Sequence, residues 1–450
     1  MDLIRKISEA GIVGCGGAGF PTHVKLKAAP EIFIVNAAEC EPLLRTDRYL
    51  MCHEADRLIA GVDLICRELA FPKAVIALKK TYSAEIAALR AAISRAGSAV
   101  TLHLMDSYYP AGDEQMIVYE VTGRVVPPAG IPLNVGAIVD NVATVIAVAD
   151  AAEDKPFTDK YLTVTGEVAV PSVLKVPVGT SFARCFELAG GLRSDRVMVV
   201  SGGPMMGAPM SLEAAMRESV KKTTSGILVL PEDCAIDLHR KTQIRHTLNR
   251  ARAACIQCSY CTQLCPRHLL GHPLQPHRIM RKMAMCTDMS EILEDEDIRQ
   301  AAICCECGIC EVYACPMGLQ PRKVNALLKG ELARAGIRYE RQGDVFTPDA
   351  NREERKVPTA RIAARVGVAD YYHLEGHVFT EAGADQVTLP LKMHIGAPAV
   401  PVVSEGAQVQ KGQLIAACPE GAMGACLHAS ISGRVHLTET SIIIEVTKDA

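Results

Sequence analysis

Two short runs of cysteines constrain the fold of this chain more than any other feature of its sequence. The first is Cys255-x2-Cys258-x2-Cys261-x3-Cys265-Pro266, and the second is Cys304-x2-Cys307-x2-Cys310-x4-Cys315-Pro316. Two-residue gaps let three thiolates of one loop converge on one centre, while the fourth cysteine is carried away by the following helix. The chain must therefore fold around two metal centres in this region.

The spacings favour two [4Fe-4S] clusters. The first run has every interval of the bacterial ferredoxin pattern, and the second has one extra residue before its last cysteine. The fourth cysteine of such a run serves the other cluster. We therefore assign one cluster to Cys255, Cys258, Cys261 and Cys315, and the other to Cys304, Cys307, Cys310 and Cys265. A pair of zinc knuckles also uses C-x2-C spacing, but the four-cysteine runs and Cys-Pro endings disfavour it. Cys305 is interpreted as a bystander.

The composition narrows the class of protein further. Eighteen cysteines in 450 residues indicate metal or redox work rather than a disulfide scaffold, because the amino terminus has no apolar secretory signal and we expect a cytosolic protein. The net charge of -3, with acids and bases interspersed, indicates no nucleic-acid partner. The most apolar stretch, 137–152, contains Asp140, Asn141 and Asp150, so no transmembrane segment is predicted.

Changes of hydrophobic pattern predict a multidomain α/β and α+β fold. Short apolar runs alternate with helical patterns in the first third, and turn-separated strands follow. The predicted parts are an α/β domain at 1–155, a β-rich module at 156–238, a helical cysteine-bearing domain at 239–335, a charged linker at 336–380 and a small β sandwich at 381–450.

A glycine-rich stretch near the amino terminus predicts a phosphate site. It reads Gly14-Cys15-Gly16-Gly17-Ala18-Gly19-Phe20. Glycines let backbone N–H groups approach a phosphate closely, although about half of such stretches are simple loops and the spacing is not that of the dinucleotide fingerprint.

The loop resembles that of the NADH- and FMN-binding flavoprotein subunit of respiratory complex I, and of the related C subunit of the Rnf complex. Three further segments follow in the family order, at 36–42 with 47–49, at 109–115 and at 141–144. The resemblance implies an FMN site with Lys25 and Glu114 near the flavin. The implied residues are Gly14, Gly16, Gly17, Gly19, Phe20, Lys25, Asn36, Glu39, Glu41, Tyr109, Gly112, Asp113, Glu114, Asn141 and Thr144.

The later modules extend the resemblance. Residues 156–238 resemble the soluble-ligand-binding β-grasp module of these families, and 239–335 a two-cluster ferredoxin-like domain. Residues 381–450 resemble the barrel-sandwich hybrid fold of lipoyl domains, but the hairpin tip at 421–424 carries no carrier lysine. The Rnf protein has this module at its amino end. In this chain the module lies at the carboxyl end, and this arrangement resembles that of the cobalamin reductases of propanediol-utilisation microcompartments.

The resemblance implies a flavin and iron-sulfur oxidoreductase. Electrons would pass from NADH through FMN and two [4Fe-4S] clusters to cobalamin, reducing cob(III)alamin to cob(II)alamin or cob(I)alamin. It further implies a cytoplasmic protein inside a B12-dependent diol-utilisation microcompartment. The implied partners are a cobalamin-handling adenosyltransferase, shell proteins or other redox proteins. The alternative is a non-catalytic electron-relay subunit of an Rnf-like or other microcompartment complex. The oligomeric state stays open.

Overall fold

The structure is a computed structural model that describes residues 2–286, 288–374 and 376–447. The strands of the first domain are β1 (Ile32–Asn36), β2 (Ala74–Lys79), β3 (Thr101–Met105), β4 (Tyr108–Tyr109) and β5 (Ala137–Asn141). Four of them form a parallel sheet in the order β3-β2-β1-β5. The helices are α1 (Leu3–Glu9), α2 (Thr22–Lys25), α3 (Thr46–His53), α4 (Ala55–Glu68), α5 (Ser83–Ala96), α6 (Glu114–Thr122) and α7 (Val142–Ala152), with a 3-10 turn at Pro132–Val135.

The register of this sheet positions the cavity described below. The central strands are buried on both faces, which explains their continuous apolar runs. In β1 and β5, Asn36 pairs with Asn141, so the loops that follow both strands leave the same edge side by side. Ligands bind at such carboxyl edges of parallel sheets.

The second module has strands β6 (Asp159–Gly166), β7 (Ser172–Pro177), β8 (Val197–Ser201), β9 (Ala208–Ser211) and β10 (Gly226–Pro231), and helices α8 (Phe182–Leu188) and α9 (Leu212–Ala215). The helical domain follows. Its helices are α10 (Ala235–Lys241), α11 (Ile244–Ala254), α12 (Tyr260–Gln263), α13 (Pro266–Leu269), α14 (Pro276–Met285), α15 (Met289–Ile292), α16 (Glu296–Arg299), α17 (Ile309–Val312) and α18 (Pro321–Arg334), with a 3-10 turn at Gln300–Ile303.

The segment predicted as a linker contains regular structure. It carries β11 (Val357–Pro358), α19 (Thr359–Arg365) and α20 (Ala369–Tyr372). Strand β12 (Val378–Glu381) begins within the predicted linker and ends one residue after it. Strand β11 pairs with β4 of the first domain, and β12 joins the edge of the second module's sheet beside β7. Both strands find their partners far away in the sequence, so no local pattern marks them.

The last module folds as two small sheets. They contain β13 (Gln386–Pro390), β14 (Val400–Pro401), β15 (Gln408–Val409), β16 (Leu414–Ala417), β17 (Leu427–His428), β18 (Gly433–Leu437) and β19 (Ser441–Glu445), in the orders β13-β19-β18-β15 and β14-β16-β17. Its apolar residues share one core with the first domain. No helix within the described ranges is long and apolar enough to cross a membrane.

Candidate cofactor sites

A cavity at the carboxyl edge of the parallel sheet gathers residues from all four predicted segments. It lies between the glycine loop, the turns after β1 and β5, and the start of β6. Its walls include Cys15, Gly16, Asn36, Glu39, Cys40, Glu41, Thr46, Asp47, Gly112, Asn141, Ala143, Lys160 and Ser225. Residues as distant in the chain as Cys15 and Ser225 thus meet in one place.

Two asparagines hold three of the four segments together. Asn36 donates through Nδ2 to the carbonyl of Gly112 at 2.8 Å, which joins the second segment to the third. Asn141 donates through Nδ2 to Asp47 Oδ2 at 2.6 Å, and its Oδ1 accepts from the N–H of Ala143 as the N-cap of α7. The two amide side chains therefore connect the second segment with the third and with the fourth.

One corner of the cavity suits an anion. Helix α7 begins there, and Gly16 lies so close that a Cβ would stand 2.9 Å from Asn141 Nδ2. The ammonium of Lys160, a residue only 3% exposed, donates to the carbonyl of Cys15 at 3.2 Å and makes no ion pair within the described ranges. A helix start, a glycine loop and a buried cation match the needs of a phosphate. Lys160 is absent from the residues predicted above, because a lysine opening a strand gives no local signal.

The cavity also has an acidic wall, formed by Glu39, Glu41 and Asp47, and Asp47 borders the corner just described through its contact with Asn141. Glu39 Oε2 accepts from the N–H of Asp47 at 2.7 Å, and Glu41 accepts from the N–H of Met205 at 2.9 Å. Burial is the largest cause that raises the pKa of each of the three carboxyls, and it raises the pKa of Glu41 to about 7. A carboxyl that keeps its proton can donate a hydrogen bond, whereas a carboxylate can only accept. This wall can therefore pair with both the carbonyl and the N–H groups of a flavin ring.

The remaining predicted residues are not among those that line the cavity. Lys25 Nζ lies 3.3 Å from Glu114 Oε1 and 3.4 Å from Asp140 Oδ1, and donates to the carbonyl of Val139 at 2.7 Å. Thr144 Oγ1 accepts from the N–H of Cys15 at 3.0 Å. Others shape the loop: the N–H of Gly14 donates to the carbonyl of Phe20 at 2.9 Å, and Gly19 has a φ of +74°. Direct flavin contacts of these residues stay a prediction.

The four thiols of the second predicted set line one small cavity. Its walls include Cys265, Cys304, Cys307 and Cys310, so the fourth cysteine of the first run joins three of the second. Cys304 Sγ accepts from the N–H of Glu306 at 3.4 Å and from Asn325 Nδ2 at 3.5 Å. Such donors stabilise thiolate charge. The geometry supports the exchanged assignment, with Cys305 as a further wall residue.

The first predicted set is also brought together. Burial, and next the neighbouring thiols of Cys315, Cys258 and Cys255, raise the pKa of Cys261 to about 12. Both cysteine loops adopt the same unusual backbone, since Gln257 and Glu306, just before each second cysteine, have φ values of +55° and +58°. Within the described ranges no three metal-ligating residues are placed to hold a single ion. A cubane binds each thiolate through a different iron atom.

Two side chains connect the sites. Tyr109 donates through its hydroxyl to the carbonyl of Cys307 at 2.9 Å, and the same hydroxyl lies 3.4 Å from Glu41 Oε1. Arg267, which follows Cys265-Pro266, donates to both carboxylate oxygens of Asp113 at 2.6 and 2.9 Å. The second set of thiols therefore lies on the side of the flavin cavity. Arg267 is missing from the predicted residues because its partner lies 154 positions earlier.

Comparison with protein families agrees with this arrangement. The Nuo51 FMN-binding domain matches residues 7–150, the SLBB domain 161–209, the 4Fe-4S dicluster domain 254–320 and the RnfC barrel sandwich hybrid domain 377–448. The fold and sites are thus those of a flavin and iron-sulfur oxidoreductase. The predicted fold class, FMN and two [4Fe-4S] clusters are confirmed.

The relatives narrow the class to a family. The chain is 42% identical to cobalamin reductase PduS of Citrobacter freundii over 98% of its length and 95% of the relative. It is 36% identical to the C subunit of the proton-translocating ferredoxin:NAD(+) oxidoreductase complex of Clostridium ljungdahlii, over 60% of this chain and 56% of that one. The NAD+-reducing [NiFe]-hydrogenase in its H2-reduced state has a TM-score of 0.48 at 23% identity, over 76% of this chain and 63% of the other. This chain belongs to the cobalamin reductase PduS family, as the sequence resemblance predicted.

Proposed function

We propose that this chain reduces cobalamin with electrons from NADH. The observation that carries the proposal is the junction at Tyr109, where one hydroxyl touches both the acidic wall of the flavin cavity and the backbone of Cys307. Flavin exchanges electrons in pairs with a nicotinamide and singly with an iron-sulfur cluster, and that is the chemistry the bound groups supply. The cobalamin assignment is supported by the names of relatives that match nearly the whole chain.

The residues of the chain would act by binding and orientation. We assign the flavin phosphate to the start of α7, the glycine loop and Lys160, and the ring to Asn36 and the acidic wall. Lys25 and Glu114 would border the ring, because their ion pair lies beside β5. The two sets of four cysteines would hold the clusters, with Arg267 and Asp113 fixing the second set against the flavin domain.

The test is a direct assay of the anaerobically purified holoprotein. NADH and cob(III)alamin are mixed with the chain alone, and the corrinoid spectrum is followed. We expect reduction to cob(II)alamin or beyond at a rate that scales with protein concentration. The contrary result is a chain that holds flavin and clusters but oxidises no NADH, with either cobalamin or a dye as acceptor. That result would favour the electron-relay role, which the matches to Rnf-type proteins support.

We also propose a setting for the reaction. The sequence resemblance to the cobalamin reductases of propanediol-utilisation microcompartments supports a place inside a diol-utilisation microcompartment, with an adenosyltransferase or shell protein as neighbour. Purified compartments from the native host should contain the chain inside a protease-resistant lumen. Complete digestion by external protease while lumen enzymes survive would contradict this placement.

A further inference from the structure

A groove between the second module and the helical domain is not used by the sites described above. It lies between the 204–209 loop, helices α10 and α18 and the end of α19, and it is open to solvent. Its volume is about 820 Å³. A cleft of this size suits a small organic molecule rather than a single ion.

The groove lies beside both sets of cluster cysteines. Cys315 of the first set lines it, and so do Cys305 and Glu306, which lie between two ligands of the second set in the sequence. The other seven cysteines of the two sets do not line it, so the groove is distinct from the spaces that the thiols enclose. A molecule bound there would be next to both proposed cluster sites.

One residue joins the groove to the flavin cavity. Met205 lines the groove, and its N–H donates at 2.9 Å to Glu41, which belongs to the acidic wall of the flavin cavity. Arg322 donates to the carbonyl of Met205 from the other side of the peptide chain. The loop that forms this wall of the groove is therefore held by the flavin domain and by α18 together.

The groove carries an excess of positive charge. Five arginines and lysines line it against two glutamates, and each glutamate forms an ion pair with one of these cations. Lys323 and Arg365 make no ion pair among the described residues and donate instead to main-chain carbonyls, at 3.0 and 3.1 Å. Apolar surface from Met206, Pro209 and Ile236 lies in the same groove.

We infer that this groove binds the cobalamin that the chain reduces. The inference rests on the proposed function. One NADH supplies two electrons, which reduce two molecules of cob(III)alamin to cob(II)alamin and release NAD+ and a proton, with no bond to the protein. Each electron adds one negative charge to the corrinoid, so the excess positive charge of the groove favours the reduced product. The apolar surface suits the faces of the corrin ring.

The test measures the affinity of the anaerobic, oxidised holoprotein for cob(II)alamin by equilibrium dialysis, with corrinoid absorbance read on the protein-free side. Ala326→Trp places an indole in the groove from α18, and the control Ala333→Trp places one at an exposed position of the same helix outside the groove. We expect Ala326→Trp to weaken binding at least about tenfold, because the indole fills space that the corrin needs, and the control to bind as the parent does.

A second variant guards against misfolding of the first. Met206→Trp fills the groove from the 204–209 loop, at a position that is 57% exposed and therefore tolerates a larger side chain. It should also weaken binding. Flavin and iron contents equal to those of the parent show that the variants are folded.

Parental affinity in both groove variants, or an equal loss in the Ala333→Trp control, would overturn the inference. So would a parent that binds no cob(II)alamin. Because binding is measured without NADH, the two proposals can fail separately. A parent that reduces cobalamin while both groove variants bind it normally would place the corrinoid elsewhere and leave the proposed function standing. A parent that binds cob(II)alamin in the groove but transfers no electrons from NADH would contradict the proposed function alone.

Discussion

At the scale of single residues, Lys160 is the group whose role is most open to test. Among the described residues its buried ammonium makes one hydrogen bond, to the carbonyl of Cys15, where it could make three. We expect Lys160→Gln to weaken FMN binding by about tenfold to a hundredfold, because a charge-assisted contact to phosphate is lost. Fluorescence titration of the apoprotein measures this, with exposed Lys155→Gln as the control. Equal affinity in both variants would remove Lys160 from the site.

Gly17 tests the position of the flavin phosphate. A Cβ placed at this residue would have no atom within 4 Å, so a small side chain fits there without a clash. Gly17→Ala should therefore keep FMN. Gly17→Asp should lose it, because the added carboxylate would repel the negatively charged phosphate at close range. Flavin content of the two purified variants decides this, and retention of FMN by Gly17→Asp would move the phosphate elsewhere.

The raised pKa of Glu41 predicts that the free energy of unfolding depends on pH. Burial raises its pKa from 4.5 to about 7, so the folded state binds the proton more tightly than the unfolded state does. Its contribution to stability is therefore complete below about pH 4.5 and is lost as the pH rises to about 7. Urea unfolding of the apoprotein should show a free energy that falls over this window, and Glu41→Gln should flatten the fall. The same slope in both proteins would contradict the assignment.

At the scale of elements, the exchange of cysteines between the two runs makes a distinct prediction. Cys265 opens α13 but lines the cavity of Cys304, Cys307 and Cys310. Cys265→Ser should therefore damage the cluster of the second run, while Cys261→Ser damages the other. Electron paramagnetic resonance of the reduced variants distinguishes the two signals. Loss of the same signal in both variants would refute the exchange.

Local sequence determines much of each element's structure but little of how the elements dock. The parallel sheet, the cysteine loops and the helical domain follow from periodicity and spacing, which are local. Strands β11 and β12 and the contact between Arg267 and Asp113 depend on partners more than 150 residues away. Such pairings leave no trace in a single sequence, so part of the predicted linker at 336–380 turned out to be structured.

The same contrast holds for the candidate site. Motifs with fixed spacing led to the cysteines and to the four segments around the flavin cavity. Lys160 enters that cavity from a different module, and only the assembled fold brings it there.

At the scale of the whole molecule, Tyr109 joins the flavin cavity to the second set of thiols, and the first set is the less buried of the two. We propose that electrons pass from the flavin cavity to the second set and then to the first. The proposed electron path therefore requires that NADH oxidation and cobalamin reduction be separable. Removing the clusters should leave NADH oxidation intact and block electron transfer to cobalamin.

The most direct test is a Cys258→Ala/Cys307→Ala variant compared with the parent at equal FMN occupancy and with the physiological partner present. We predict that it oxidises NADH with a small artificial acceptor at close to the parent rate, yet reduces cobalamin far more slowly. Cobalamin reduction at the parent rate would show that the cysteine centres lie off the path, and would contradict the central claim.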